Sequence, residues 1–235
     1  MVRKKGLLNY RFNEAKNNSI LSALPQLEYE RISDFLKPIQ LSGGQIITES
    51  HQNVKSLYFL TQGLVSLILV MSDGSTSEVG LIGKEGIVGI QQFLGNGVSH
   101  SRSLVQIKGS AMQIEARVLK EELERNKSLQ KLLLQYYLKL FNQVSQVAAC
   151  NNHHTVKQRI ARWLLMLDDR IDREKLAITQ QLLSQILGVR RSGVSEIAYK
   201  IKQLGIIDYQ RGQITILDRP ALEAIACECY QIIRD

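Results

Sequence analysis

The run LAITQQLLSQILGVRRSGVSEIAYKIKQLGIIDYQRGQITIL, Leu176 to Leu217, constrains the fold more than any other part of this chain. Thr179 to Leu187 carries apolar residues at helical spacing. Gly188 and Val189 interrupt it, and a second amphipathic segment runs from about Arg190 to Gly205. Two helices joined by so short a glycine-containing turn form a helix-turn-helix. Val194, Ile197, Ile201 and Leu204 recur on one face of the second helix, and Leu182, Leu183, Ile186 and Val189 supply the surface they pack on. Beyond Gly205, Ile206, Ile207 and Tyr209 lead into a turn at Gln210-Arg211-Gly212. Ile214, Ile216 and Leu217 then return as a strand, so a hairpin is expected beside the helix pair.

The polar side of the second helix points to a partner. Arg191, Ser192, Ser195 and Tyr199, with Glu196 adjacent, form a short edge able to reach base edges in a major groove. Arg190, Arg191, Lys200 and Lys202 add phosphate contacts, which position without specifying sequence, and Arg211 makes the hairpin tip basic. The competing reading is an ordinary core helix pair with Arg191 and Ser192 solvated. The tight turn, the polar start of the second helix and the basic tip favour double-stranded DNA as partner. A net charge of +8 over 235 residues agrees with a polyanionic partner but does not separate DNA from RNA or an anionic membrane. No apolar run approaches a membrane span, and the basic start, MVRKKGLLNYRFNEAKNN, lacks a hydrophobic stretch. A cytoplasmic protein without a membrane partner is expected.

The rest of the chain reads as α+β. Residues 1–20 are expected to be a flexible basic arm. Residues 21–116 hold one or two short helices, ended by Pro38 and Gly43-Gly44, and then short β-rich runs such as SLYFLTQG and LVSLILVM. Turns at Asp73-Gly74 and elsewhere predict an antiparallel sandwich or barrel able to enclose an effector. Gly83, Gly86 and Gly89 fit corner turns; they form neither a Walker motif nor a dinucleotide-binding unit. Residues 117–150 predict connecting helices. The long one carries a stripe of Leu129, Leu133, Tyr136, Leu140 and Val144, expected to meet a second copy of the chain. A hinge is expected around residues 147–155. Thr155 is a helix cap in the final domain, residues 151–235, which ends in an amphipathic helix after Pro220. Cys150, Cys227 and Cys229 read as ordinary thiols, with redox sensing as the alternative. His153 and His154 lack a third ligand at motif spacing, so no metal is expected.

Over nearly its full length the chain resembles the CRP/FNR family of bacterial transcription regulators. The segments that carry the resemblance are SLYFLTQGLVSLILV, TQQLLSQILGVRRSGVSEIAYKIKQLGII and YQRGQITILDR. The resemblance implies an N-terminal antiparallel β-roll of the cyclic-nucleotide-binding type, a long dimerisation helix and a C-terminal winged helix-turn-helix. It further implies a homodimer on near-palindromic promoter sites that contacts RNA polymerase. By position it gives Arg191, Ser192 and Glu196 the main base-reading places, and Thr179 a backbone contact. Glu196 stands where the catabolite activator type has arginine, so the preferred site differs: an acid accepts from cytosine and cannot read guanine as arginine does. In the β-roll, Gly89 is followed by Ile90, so the ribose carboxylate of the cAMP pattern is missing, while Arg102-Ser103 resembles its phosphate pair at a longer spacing. Gly89, Arg102 and Ser103 are therefore candidate effector residues, cAMP is the weaker reading, and the effector stays open. An iron–sulfur sensor is not expected, because every cysteine lies at or after Cys150. A nucleotide-responsive scaffold that does not bind DNA and a nucleotide-processing enzyme are the alternatives; no catalytic constellation supports the latter.

Overall fold

The computed structural model describes residues 14–90, 94–95, 97–171 and 176–234. The chain divides into two compact units. One holds the residues up to Leu67 together with Leu81–Leu140, and the other holds Ile68–Gly80 together with the residues from Phe141 onward.

The first unit begins on a buried polar anchor. Asn18 has no exposed surface. Its amide Nδ2 donates to the carbonyls of Leu60, Lys84 and Gly86 at 2.9, 3.1 and 2.8 Å. Its Oδ1 accepts from the Ile20 and Leu21 amides, capping helix α1 (Ser19–Ser22). Ala15, Ile20 and Leu21 are buried around it. This corrects the expected flexible arm over its last residues, because a side chain that satisfies three buried carbonyls is a fixed point. Residues 1–13 of that arm lie outside the described residues. Helix α2 (Gln26–Ser33) follows, with Tyr29 and Ile32 inward.

The β-rich runs form one six-stranded antiparallel sheet. Its main path is β1 (Lys37–Leu41), β6 (Arg102–Glu115), β3 (Ser56–Val70), β4 (Thr76–Ile82); β2 (Ile46–Thr48) pairs with β6 and β5 (Ile87–Val88) with β3. Leu57, Phe59, Leu60, Leu64, Val65 and Leu67 of β3 are all buried, and Val105, Ala111, Met112 and Ile114 of β6 join them. The Asp73-Gly74 turn forms as expected: the Asp73 carboxylate accepts from the Ser75 amide at 2.9 Å.

After β6 come α3 (Ala116–Arg125) and the 27-residue α4 (Lys127–His153). The buried Asn126 side chain accepts from the Leu129 amide at 2.8 Å and starts α4. The helix continues to His153, through residues expected to hold a hinge. The stripe expected at the interface with a second copy is mostly buried within the chain itself: Leu129, Leu133, Tyr136 and Leu140 are 0 to 8 % exposed, and Val144 is half-buried. Tyr136 lies directly over Gly86, where a Cβ would overlap its ring. The exposed apolar stripe is a different one, with Leu134 50 %, Leu138 59 % and Phe141 56 % exposed. Spaced at i, i+4 and i+7, these three share one face.

The second unit is built around α5 (Val156–Asp168), in which every residue from Arg159 to Leu167 is buried. Thr155 caps it as expected, in a reciprocal box with Gln158. Trp163 Nε1 donates to the buried Glu78 carboxylate at 2.7 Å, which fixes the indole among apolar neighbours. Around α5 lie β7 (Leu176–Ala177), α6 (Gln180–Leu187), α7 (Arg191–Gln203), β8 (Ile207–Gln210), β9 (Gln213–Ile216), α8 (Arg219–Ala224) and α9 (Cys229–Arg234). The strands form a sheet in the order β7-β9-β8. Arg219 ties the helices together. It pairs with Asp168, with Asp169 at 2.6 Å and with Glu223 at 3.1 Å, and donates to the Tyr230 hydroxyl at 2.7 Å. Burial works against its charge, but Asp169 and Asp168 outweigh it and hold its pKa above the usual arginine range. Among the described residues no helix is long and apolar enough to cross a membrane.

Candidate nucleic-acid interface

Thr179 caps α6, its hydroxyl accepting from the Leu182 amide at 3.1 Å. Gly188 ends the helix in the left-handed region at φ 61°, where a side chain would be strained. Three residues later, at Arg191, α7 starts. Val194, Ala198 and Ile201 of α7 are buried, as are Leu183, Ile186 and Leu187 of α6. The expected apolar face is therefore displaced. Ala198 belongs to it, Ile197 is only half-buried, and Leu204, at the helix end, is 61 % exposed.

The opposite edge of α7 is open. Arg191, Ser192, Glu196, Tyr199 and Lys200 are exposed, and a Cβ on Gly193 would meet nothing within 4 Å. Arg190 occupies the cap position and makes no side-chain cap, so its side chain does not occupy the first-turn amides of α7, the groups a phosphate would use. Arg191 has no ion-pair partner among the described residues. Glu196 and Lys200 pair across one turn at 2.6 Å, which holds the Glu196 carboxyl below its usual range through the hydrogen bond and the charge of Lys200.

Two expected contact residues are engaged internally. Ser195 Oγ donates to Gln180 Oε1 at 2.6 Å and approaches the Arg191 carbonyl at 2.9 Å, so it links the two helices and is half-buried rather than a free reader. Lys202 Nζ pairs with Asp208 at 2.9 Å and lies 3.3 Å from the Tyr209 carbonyl, anchoring β8 to α7. The Lys202 hydrogen bond is the main reason the Asp208 carboxyl sits below its usual range. The hairpin forms as expected: Ile207, Asp208, Tyr209 and Gln210 pair with Ile216, Thr215, Ile214 and Gln213. Its tip is Arg211-Gly212, with φ 50° and 74°, and the Arg211 side chain is exposed. Gln180 and Asp208 were not singled out in the sequence. A polar residue at the first position of one helix and an acid just past the other give no signal until the turn brings them together.

In the β domain, Gly89 is buried against Val54 and Leu57, and Ser103 pairs with Thr48 between β2 and β6. Arg102 Nε is held by the Glu49 carboxylate at 3.0 Å. An anion binding there has to displace a carboxylate, which the resemblance to a phosphate pair did not anticipate. The absence of a third ligand beside the histidines is also corrected. Cys150, Cys227 and Cys229 converge on His154, and all four ligand atoms lie within 4.8 Å of one another.

Two family models match the chain: a cyclic nucleotide-binding domain over residues 38–126 and a Crp-like helix-turn-helix domain over residues 158–225. No curated protein sequence matches it. Among solved structures it is similar to FixK2 from Bradyrhizobium japonicum, at 17 % identity and TM-score 0.70, covering 82 % of this chain and 98 % of that one. It is similar to the c-di-GMP-responsive global regulator CLP from Xanthomonas campestris, at 15 % identity and TM-score 0.70, covering 82 % and 99 %. A crp/fnr-family regulator from Eubacterium rectale gives 17 % identity and TM-score 0.71, covering 89 % and 98 %. At such identities the structural likeness speaks for the fold, which is the α+β arrangement of β-sheet domain, long helix and winged helix-turn-helix described above. With a nucleotide-binding-type domain followed by a Crp-like DNA-binding domain, the chain belongs to the CRP/FNR family of transcription regulators.

Proposed function

We propose that this DNA-binding regulator acts as a homodimer that sets its two α7 helices into successive major grooves of a near-palindromic promoter site. Half-sites lie one helical turn apart, about 34–36 Å. The observation that carries this reading is the open edge of α7, with Arg191 uncommitted and Gly193 unobstructed while Val194, Ala198 and Ile201 face inward. Arg191 is the assigned guanine reader and Ser192 a neighbouring contact. Glu196 reads cytosine once its bond to Lys200 opens. Arg190, Arg211 and the first-turn amides of α7 take phosphates. The exposed stripe of Leu134, Leu138 and Phe141 supports pairing of α4 with its copy. RNA polymerase is the expected partner at the promoter.

The β domain is the control element. An effector changes DNA affinity only by binding the competent and incompetent poses unequally. Because Arg102 is occupied by Glu49, cAMP remains the weaker effector, and the responsiveness of CLP to c-di-GMP puts a cyclic dinucleotide among the compounds to assay. The test is selection of bound fragments from genomic DNA at physiological salt, with and without cyclic mono- and dinucleotides. Recovery of a two-fold-symmetric motif is expected. Failure to enrich any DNA under either condition overturns the reading and favours a protein scaffold.

A further inference from the structure

The three cysteines and one histidine that converge in the second unit form a site the DNA-binding reading does not use. Cys150 and His154 lie one turn apart at the end of α4, while Cys227 and Cys229 flank the start of α9, more than seventy residues later. Cys150 Sγ is 3.5 Å from Cys227 Sγ, and Cys229 Sγ is 3.5 Å from His154 Nδ1. All three sulfurs are buried and no disulfide joins them. Thiolates at the usual zinc–sulfur length of about 2.3 Å around a tetrahedral ion lie about 3.7–3.8 Å apart. Four donors confined within 4.8 Å, with two of their separations at 3.5 Å, are spaced closely enough to share a single ion.

Two further observations point to a metal. Glu228 Oε1 is 3.2 Å from His154 Nε2, so Nε2–H donates to the carboxylate and Nδ1 is the ring nitrogen that faces the sulfurs. That is the outer-shell partner a ligating histidine needs. Gln146 Nε2 lies 3.0 Å from Cys229 Sγ and supplies a donor to a thiolate. The surrounding charge is the second. Arg159 and Arg162 are 8 % and 3 % exposed, and their Nε atoms have no hydrogen-bond partner. Arg159 otherwise donates to the Leu187 carbonyl and Arg162 to the Met166 thioether; among the described residues no carboxylate pairs with either. Burial pushes the Cys150 thiol up, and the charge of Arg162 opposes that only in part. Three neutral thiols would leave two buried cations with no anion, a costly arrangement. Three thiolates and a neutral imidazole on a divalent ion carry one net negative charge and offset part of it.

We propose that Cys150, His154, Cys227 and Cys229 bind one zinc ion as a closed, structural Cys₃His site that fastens the C-terminal helix to the end of α4. Binding releases the three thiol protons to solvent, and no electron transfer is involved. Four protein ligands leave no open position, so the site is structural rather than catalytic.

The test uses the untagged full-length chain, purified in reductant without chelator. About one zinc per chain is expected by elemental analysis, and removal of the metal lowers Tm, because the binding energy of a structural site is folding energy. The His154→Ala and Cys229→Ser variants lose the metal, while His153→Ala, the neighbouring exposed histidine, keeps it. Where the cysteine variant fails to fold, the wild-type chain stripped of zinc and loaded with cobalt(II) gives the same information: thiolate-to-cobalt charge transfer and strong tetrahedral ligand-field bands are expected. A chain with no metal that takes up no cobalt overturns the proposal. So does bound iron with sulfide, or a Cys150–Cys227 disulfide as the only reduced-buffer product.

Discussion

Replacing Arg191 by Ala separates a base reader from a phosphate clamp. The side chain is exposed and has no carboxylate partner among the described residues, so its removal costs the fold little, within about 0.5 kcal/mol for a surface change of this kind. Alanine is also at least as good a helix former. A bidentate arginine–guanine contact contributes about 1–3 kcal/mol of discrimination, so affinity for the selected site falls about 5- to 150-fold, with 1.4 kcal/mol counted as tenfold. The assay is competition among operators carrying single base-pair changes, at fixed salt and then across a salt series. The variant loses preference at one symmetric pair of positions and keeps it elsewhere, and its affinity for unrelated DNA falls far less. A phosphate clamp behaves differently, weakening all sequences evenly and shallowing the log–log salt slope by about one. An even loss with that slope change refutes the reader assignment, as does a drop in Tm large enough to explain the lost binding.

Lys202→Ala is expected to act through the hairpin instead of through DNA phosphates, because its ammonium is bound to Asp208. Amide exchange in β8 and β9 speeds up, and the Asp208→Asn variant reproduces the effect. Since the folded Asp208 pKa is depressed, this anchoring is complete above the unfolded carboxyl pKa and is lost as pH falls through the folded value; a pH series on wild type and Lys202→Ala reads it. Phe141→Glu places a carboxylate in the exposed stripe of α4. Counted twice by symmetry, it shifts the monomer–dimer equilibrium at least about tenfold toward monomer, measured by sedimentation, while Tm of the monomer holds. Arg219→Ala leaves Asp168 and Asp169 side by side without their cation. A loss of about 1–3 kcal/mol in chemical denaturation is expected for charged hydrogen bonds in a partly exposed network, with partial recovery in Arg219→Lys.

Legibility in the sequence followed the range of the interactions. The helix-turn-helix, its Gly188 turn, the Thr155 cap and the 207–216 hairpin were readable because each is decided within a few residues. The β-rich run was readable as antiparallel from its turns, though not its strand order, since β1 pairs with β6 at separations of about seventy residues, Lys37 with Gln113 and Leu41 with Gly109. The stripe on α4 was misassigned for a physical reason. Leu129 to Phe141 is apolar on more than one side, and periodicity alone does not say which side meets the same chain. Ser195 and Lys202 looked available because their partners, Gln180 and Asp208, lie on other elements. The Cys150–His154 spacing of four does not read as a metal site on its own, and no metal was expected from the sequence. The four-residue cluster needed the C-terminal helix to come back to α4.

Arg211 holds a left-handed backbone at the hairpin tip, at φ 50°, where glycine or asparagine is the cheaper residue by roughly 1 kcal/mol. A library sorted for thermal resistance would therefore enrich substitutions at this position while discarding the outward cation that the tip carries. Variants hardened in that way would pass every folding check and yet dwell more briefly on promoters. The same position thus marks where selection for durability and selection for regulation pull the sequence apart.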